Sequence, residues 1–176
     1  MNVKRIIQIA LSVAIIFTLE QALVFLPNVQ LTTLLILIFV SVYTFKESVI
    51  MITIYIILDT LFFGGFNLFY MVPMLIAWNL IPIAYHTFLQ NTNNEITLGI
   101  FVFVFGFVYG WIFIPFNMIY TGIEEFWPYL TSDILFEVIM AVTNLLTVLW
   151  LYKPMMRIIK HTSLLEDTKT ELSYNK

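Results

Sequence analysis

Between residues 26 and 40 the chain reads LPNVQLTTLLILIFV. The first half of this stretch contains Pro27, Asn28, Gln30 and two threonines, and the second half is almost purely apolar. Another apolar run comes immediately before it. A polar, kinked segment between two apolar runs is ordinary in a water-facing loop. In a bilayer it is costly facing lipid and is tolerated where it lines a cavity. The interpretation of this segment therefore depends on the solvent around the chain.

The composition predicts that this solvent is a lipid bilayer. Hydrophobic residues make up 61% of the 176 residues and charged residues 11%, whereas about 25% of residues are charged in an ordinary soluble domain. A soluble fold of this length could not bury so much apolar surface. We therefore expect an integral membrane protein with one membrane domain. The chain contains no cysteine, which excludes disulfides, thiolate metal sites and cysteine nucleophiles.

Polar breaks divide the chain into six apolar segments. A spanning helix needs roughly 20 apolar residues, so the second and third segments are short, as is typical of backbone that lines a cavity. No small-residue cleavage site follows the first segment, which predicts a retained helix rather than a signal peptide. We assign residues 1–160 to a transmembrane domain and 161–176 to a polar cytoplasmic tail. The segments are 6–26, 29–44, 48–63, 70–89, 96–120 and 133–159.

The basic residues predict the orientation of these segments. With the N-terminus in the cytoplasm and six spans, every Lys and Arg falls on the cytoplasmic side, as expected from the positive-inside rule. A different number of spans would scatter these residues over both sides. We therefore predict an all-α membrane protein with six transmembrane helices, both termini in the cytoplasm and a ligand cavity near the outer face. The basic residues are Lys4, Arg5, Lys46, Lys153, Arg157, Lys160, Lys169 and Lys176.

Four carboxylates fall in the predicted outer half of the bilayer: Glu20, Asp59, Asp133 and Glu137. No Lys or Arg lies at that depth. A carboxylate in hydrocarbon costs at least about 2.5–3.5 kcal/mol, so these groups should face the protein interior. Each is then protonated, hydrogen-bonded or in contact with a cationic or donor-rich ligand. A neutral structural carboxyl is the alternative for three of them, and an N-cap role is favoured for Asp133 at its predicted helix start.

Helical spacing places one polar stripe on the outer half of the last segment, and the stripe becomes apolar farther along. This pattern fits a cavity that is open outward and closed below better than it fits a channel. The stripe consists of Asp133, Glu137, Met140, Ala141, Asn144 and Val148.

Aromatic residues are dense at the same predicted depth. Tyr55, Trp78 and Tyr120 are the best cavity candidates, because each has a polar residue nearby on its own segment. Acids beside aromatic faces suit a flat, donor-bearing or cationic organic ligand. Plain helix packing is the alternative for Trp78, and an interfacial aromatic belt is favoured for Trp127 and Tyr129.

The sequence contains no motif that predicts catalysis. Both histidines, His86 and His161, fall at or beyond the predicted cytoplasmic edge. No Ser-His-Asp pattern, metal-ligand spacing or Walker motif occurs. We therefore expect no enzymatic activity, no metal and no cofactor, although a membrane enzyme that uses only Asp and Glu stays open as an alternative.

The first helix carries a candidate partner face. Ala10 and Ala14 form a small-xxx-small pattern, which allows another helix to approach closely. Glu20 lies roughly 120° from Ala14 around the same helix. The helix can therefore present one face to a partner protein and another to a cavity.

These features together resemble the substrate-binding S components of energy-coupling factor (ECF) vitamin transporters, from Arg5 to about Ile159. The likeness rests on the six-segment map, the alanine pair, PNVQLTTLLILIF, and the ending DILFEVIMAVTNLLTVLWLYKPMMRII. That ending is similar to a last helix of the form D-x-x-F-D-x-x-H-A-x-x-N followed by Y-K-P. Glu137 and Asn144 match its acid and its asparagine. Met140 departs from its frequent histidine, which puts any histidine-dependent ligand contact in doubt.

The resemblance implies a protein of the prokaryotic plasma membrane that binds one vitamin or related micronutrient near its outer face. It would deliver this ligand with a transmembrane coupling subunit, which packs on Ala10 and Ala14, and two ATPase subunits. The segment after the first helix would be a pocket wall and lid hinge, with a polar interfacial cap as its alternative. The candidate substrate-binding residues are Asn28, Gln30, Tyr55, Asp59, Asn67, Trp78, Tyr120, Glu137 and Asn144.

The acid-rich, base-free cavity favours a cationic or neutral heteroaromatic ligand over a multiply anionic one. We expect no nucleic-acid partner. Two other classes of function stay open. One is a non-transport scaffold or assembly protein of the membrane, and the other is a stand-alone secondary carrier. A carrier would usually show two internal repeats with matched broken helices, and the sequence shows no convincing repeat.

Overall fold

The computed structural model describes residues 3–63, 65–92, 94–122 and 124–174, with side chains described as far as Ile159. The regular secondary structure in these ranges is helical, and no strand occurs among them, which confirms the predicted all-α class. The helices are α1 (Val3–Leu23), α2 (Thr32–Val42), α3 (Phe45–Phe62), α4 (Leu68–Ala84, continued by a π turn at Tyr85–Leu89), α5 (Glu95–Thr121) and α6 (Phe126–Tyr174).

Four of the described helices are long and apolar enough to cross a membrane by length and composition. They are α1, α4 with its π turn, α5 and the part of α6 up to Ile159. Helix α2 has only 11 residues, and the 18 residues of α3 include Lys46, Glu47 and Asp59. The helices are compatible with a membrane protein, and the number of spans and their orientation stay predictions.

Helix α2 lies at the centre of the bundle. Each residue from Thr32 to Ile38 is at most 1% exposed, and the helix contacts α1, α3, α4 and α6. A helix that is apolar on every side is stable only when it is surrounded. The short length of α2 is tolerated because protein rather than lipid covers most of the helix.

Helix α3 runs parallel to α1, and polar contacts join the pair near both ends. At one end the Arg5 guanidinium binds Glu47, with Nε–Oε1 at 2.7 Å and Nη2–Oε2 at 2.9 Å. Toward the other end the Tyr55 hydroxyl donates to Glu20 Oε2 at 2.6 Å. Between Arg5 and Glu20, α1 rises about 22 Å at 1.5 Å per residue. Because α1 and α3 run in the same direction, α2 returns the chain to the end at which α1 begins.

Helices α5 and α6 form the most extensive helix–helix contact among the described residues. Added to Gly106, a Cβ atom would lie 2.7 Å from the Ala141 Cα atom, so this position has room for glycine alone. The buried face of α6 at this contact includes Glu137, Met140 and Asn144. Most of the stripe predicted on the last segment therefore faces the protein interior, and α5 contacts it at Glu137, Ala141 and Asn144.

The last helix begins earlier than predicted, at Phe126 rather than at 133. Asp133 consequently lies about two turns inside α6, and its predicted role as an N-cap is wrong. Pro128 sits in the first turn, where its missing N–H group breaks no helical hydrogen bond. The Thr131 hydroxyl donates to the Trp127 carbonyl at 3.0 Å, so this polar residue is also accommodated within the helix.

At its other end, the backbone of α6 continues through the predicted polar tail to Tyr174. Leucine, glutamate and lysine, which are strong helix formers, make up seven of the 16 residues of this tail. Local propensity therefore favours a helix in part of the segment.

Candidate ligand-binding site

Two adjoining cavities open near the ends of α1 and α3 that lie opposite the Arg5–Glu47 pair. The larger cavity, of about 450 Å³, lies between α3 and α4. The smaller one, of about 280 Å³, lies beneath the connection from α1 to α2. Asp59 and Phe63 line both cavities. Phe63 directly follows α3, and its N–H donates to the Asp59 carbonyl at 3.1 Å, so the two residues lie one turn apart and form a common wall.

Two carboxyl groups lie at this wall, and their hydrogen bonding differs. Glu20, which lines the smaller cavity, accepts the 2.6 Å hydrogen bond from the buried Tyr55 hydroxyl. Asp59 is 8% exposed, and its carboxyl accepts from Gln21 Nε2 at 3.5 Å, the long limit of a hydrogen bond. Asp59 is thus the less well satisfied of the two acids.

An aromatic cluster packs behind the carboxyl groups. The Trp78 ring contacts Tyr55 edge to face at 6.3 Å between centroids, and it contacts Tyr109 at 5.0 Å and Phe105 at 5.6 Å. Trp78 and Tyr55 are almost completely buried and line neither cavity. The structure therefore places these two predicted site residues behind the Glu20 side of the two cavities, where their rings pack against each other.

The connection between α1 and α2, around Pro27 and Asn28, forms a tight turn over the smaller cavity. The Val29 N–H donates to the Leu26 carbonyl at 3.2 Å, and Asn28 has a φ of 57°. A type II turn requires a positive φ at the third position, and proline is favoured at the second. This turn holds the side chains of Asn28 and Gln30 in the wall of the smaller cavity.

Predicted residues of the larger cavity cluster at the start of α4. Asn67 lines this cavity and caps the helix, since its side-chain oxygen accepts from the Phe69 N–H at 3.0 Å. Tyr70 and Met74 line it as well. Tyr120 is 51% exposed and lies one layer out, with its ring 5.8 Å from that of Tyr70.

The structure does not bring Glu137 to either cavity. This side chain is 3% exposed and packs between α5 and α6, where Trp111 Nε1 donates to its Oε2 at 3.1 Å. Its Oε1 atom has no hydrogen-bond partner among the described residues. The four acids predicted at one depth thus form two groups, with Glu20 and Asp59 at the cavities and Glu137 with Asp133 along α6.

Asn144 also lies away from the cavities. Its side-chain nitrogen donates to the Val102 carbonyl of α5 at 3.3 Å, and the residue is completely buried. The match of Glu137 and Asn144 to the last-helix pattern therefore coincides, in this structure, with the contact between α5 and α6. Their assignment to a ligand stays a prediction.

Several cavity residues were not among the predicted ones. Glu20 lines the smaller cavity, and Thr60, Tyr70 and Met74 line the larger one. The spacing of Asn67, Tyr70 and Met74, three and four residues apart, is the signal that predicts a shared face on α4. Glu20 could not be paired with Tyr55 from the sequence, because the partnership depends on how α1 and α3 pack.

The predicted partner face of α1 is open. Ala10 and Ala14 are both exposed, so the described part of the chain leaves them uncovered. The opposite side of α1 is buried through Ile9, Val13 and Ile16. The exposed side of α1 thus combines Ala10 and Ala14 with larger apolar residues such as Leu11 and Ile15.

The chemistry of the cavities favours cations and hydrogen-bond donors. Two carboxyl groups, the amides of Asn28, Gln30 and Asn67, and the Tyr70 ring surround the space. No Lys, Arg or His side chain of the described chain lines either cavity.

Comparison with protein-family models, curated proteins and solved structures gives no match for this chain.

Proposed function

We propose that this chain is the membrane-embedded substrate-binding S component of an ECF-type importer, with six transmembrane spans and both termini in the cytoplasm. It captures a vitamin or related micronutrient from outside a prokaryotic cell. A coupling subunit and two ATPase subunits then drive delivery of that ligand into the cytoplasm. The observation that carries the proposal is the pair of base-free cavities that meet at Asp59 beneath the α1–α2 turn.

The parallel packing of α1 and α3 supports six spans. The contact of Arg5 with Glu47 requires the start of α3 to lie at the same end of the bundle as the start of α1. The α2 helix then returns through the bundle, and α3 recrosses it. In this arrangement both cavities lie at the end opposite Arg5, which is the outer side when the N-terminus is cytoplasmic.

A thermal-unfolding screen of the purified full-length chain in mild detergent tests ligand binding. The screen uses vitamins and their precursors, and one compound should raise the unfolding midpoint. A ligand at 100 times its Kd stabilises the folded state by about 2.7 kcal/mol. Asp59→Asn should reduce this shift, whereas Asp133→Asn, outside both cavities, should leave it unchanged. If no compound shifts the midpoint, the proposal is wrong.

Partner binding has its own test at Ala14. The larger side chain in Ala14→Leu should prevent close approach of a partner helix, so a coupling subunit and ATPase subunits should no longer co-purify from native membranes. Ala22→Leu, at another exposed alanine of α1, is the matched control and should retain them. Both variants should keep the ligand-induced thermal shift. If wild-type protein brings down no subunit with a Walker motif, the importer assignment fails even when a ligand binds.

A further inference from the structure

We propose that the ligand is an organic cation with two arms, whose positive centre binds Asp59 and whose arms occupy one cavity each. This inference rests on the proposed ligand-binding function and names the chemical class of the ligand. It places the aromatic or apolar arm in the larger cavity and a smaller, hydrogen-bonding arm beneath the α1–α2 turn.

The charge of the ligand follows from the environment of Asp59. A buried carboxyl group that stays ionised needs a cation or several hydrogen bonds to offset its lost hydration. Glu20 has a short hydrogen bond from Tyr55, whereas Asp59 has the long contact from Gln21. No basic side chain in the described ranges reaches either cavity. A ligand cation supplies the counter-charge that the protein lacks at this point.

The walls favour an organic cation over a metal ion. The larger cavity, about 450 Å³, presents Phe63, Tyr70 and Met74 beside Asp59. An aromatic face and a polarisable thioether suit an organic cation, whereas Ca²⁺ or Mg²⁺ requires a close shell of oxygen ligands. The described residues contain no group of three or more His, Cys, Asp or Glu side chains arranged to hold a metal.

The two-armed shape follows from the position of Asp59 between the cavities. Asp59 and Phe63 belong to both walls, so a positive centre at Asp59 can extend in both directions. The larger cavity offers Tyr70 and Met74 to an apolar or aromatic arm. The smaller cavity offers the amides of Asn28 and Gln30 to an arm with a hydroxyl or similar group.

Isosteric probes test the charge directly on the wild-type chain. Benzyl(2-hydroxyethyl)dimethylammonium has a central cation, an aromatic arm and a hydroxyl arm, and 3,3-dimethyl-4-phenylbutan-1-ol is its neutral carbon isostere. Isothermal titration calorimetry of the full-length protein in mild detergent should show at least a tenfold lower Kd for the cation. Choline and benzyltrimethylammonium, which each lack one arm, should bind more weakly than the two-armed cation.

Two pairs of variants locate the cation and its arms. Asp59→Asn should weaken binding of the two-armed cation at least tenfold, whereas Asp133→Asn should change it less than twofold. Tyr70→Ala should reduce the advantage of the two-armed cation over choline. Gln30→Ala should reduce its advantage over benzyltrimethylammonium.

The results separate this inference from the proposed function. Equal affinity for the cation and its neutral isostere, or no binding of any cation, overturns the inference. So does an equal effect of the two aspartate variants. If a neutral or anionic vitamin still stabilises the protein and the ATPase subunits still co-purify, the proposed function stands without the cation.

Discussion

The Tyr55 hydroxyl connects the aromatic cluster to the cavities through its hydrogen bond to Glu20. Tyr55 is completely buried, whereas Glu20 is half-buried and lines the smaller cavity. Glu20 would otherwise join Asp59 as a poorly satisfied acid at the same wall. The hydrogen bond from Tyr55 therefore stabilises one of the two carboxyl groups at the shared wall of the cavities.

We predict that Tyr55→Phe destabilises the folded chain. The change removes the hydroxyl donor to the half-buried Glu20 carboxyl, and a lost hydrogen bond costs about 0.5–1.5 kcal/mol. Thermal unfolding in mild detergent measures the effect, and Tyr120→Phe is the control because Tyr120 is half exposed. Equal destabilisation by the two variants would show that the hydrogen bond to Glu20 has no special importance.

At the scale of helices, the contact between α5 and α6 depends on glycine. At Gly106 an added Cβ atom would meet the Ala141 backbone, with Cα at 2.7 Å and N at 2.8 Å. At Gly99, on the same helix, the nearest atom is the Leu145 Cδ1 atom at 2.9 Å. A leucine side chain can rotate away, whereas the backbone of a packed helix cannot.

We therefore predict that Gly106→Ala destabilises the protein more than Gly99→Ala does. Overpacking of a tight contact typically costs about 1–3 kcal/mol, and the loss should be largest where the neighbour is backbone. Unfolding midpoints of the two alanine variants in the same detergent give the comparison. A Gly99 variant that is as unstable as the Gly106 variant would contradict this description of the interface.

The sequence predicted the helices better than it predicted their partners. Apolar runs and polar breaks gave all six helices in order, because composition along the chain is a local property. The type II turn at Asn28 was foreseeable as a polar kink, since proline and asparagine favour such turns locally. The early start of α6 at Phe126 was missed, because the polar and acidic residues between 121 and 133 obscured a helix that tolerates Pro128 in its first turn.

The arrangement of the acids shows why the site was predicted only in part. Glu20, Asp59, Asp133 and Glu137 share a predicted depth, but depth does not fix the direction around a helix bundle. Glu137 contacts α5, whereas Asp59 lines the cavities. Which helices are neighbours depends on long-range packing, such as that of Gly106 against Ala141, and a single sequence does not state it.

For the chain as a whole, the side of the membrane on which Lys46 lies distinguishes a six-span topology from a four-span topology. Both arrangements place Phe66 and Glu124 outside and Asn91 inside. Lys46 is inside only if α2 and α3 cross the bilayer, as the contact of Arg5 with Glu47 supports. If both short helices stayed at the outer surface, Lys46 would be outside.

Labelling of single cysteines tests this topology, because the chain has no native cysteine. We predict that a membrane-impermeant maleimide labels Phe66→Cys and Glu124→Cys on intact cells. It should label Lys46→Cys and Asn91→Cys only after permeabilisation. Labelling at position 46 on intact cells would contradict six spans and would leave the other three positions unchanged.

Native mass spectrometry tests most directly whether the cavities around Asp59 hold a small molecule. The measurement uses full-length chain purified in mild detergent from the membranes of its own host. We predict a wild-type species heavier than the chain by one non-lipid small molecule, lost in Asp59→Asn and retained in Asp133→Asn. Wild-type protein that carries no such molecule, or an Asp59→Asn variant that retains it, would contradict the account.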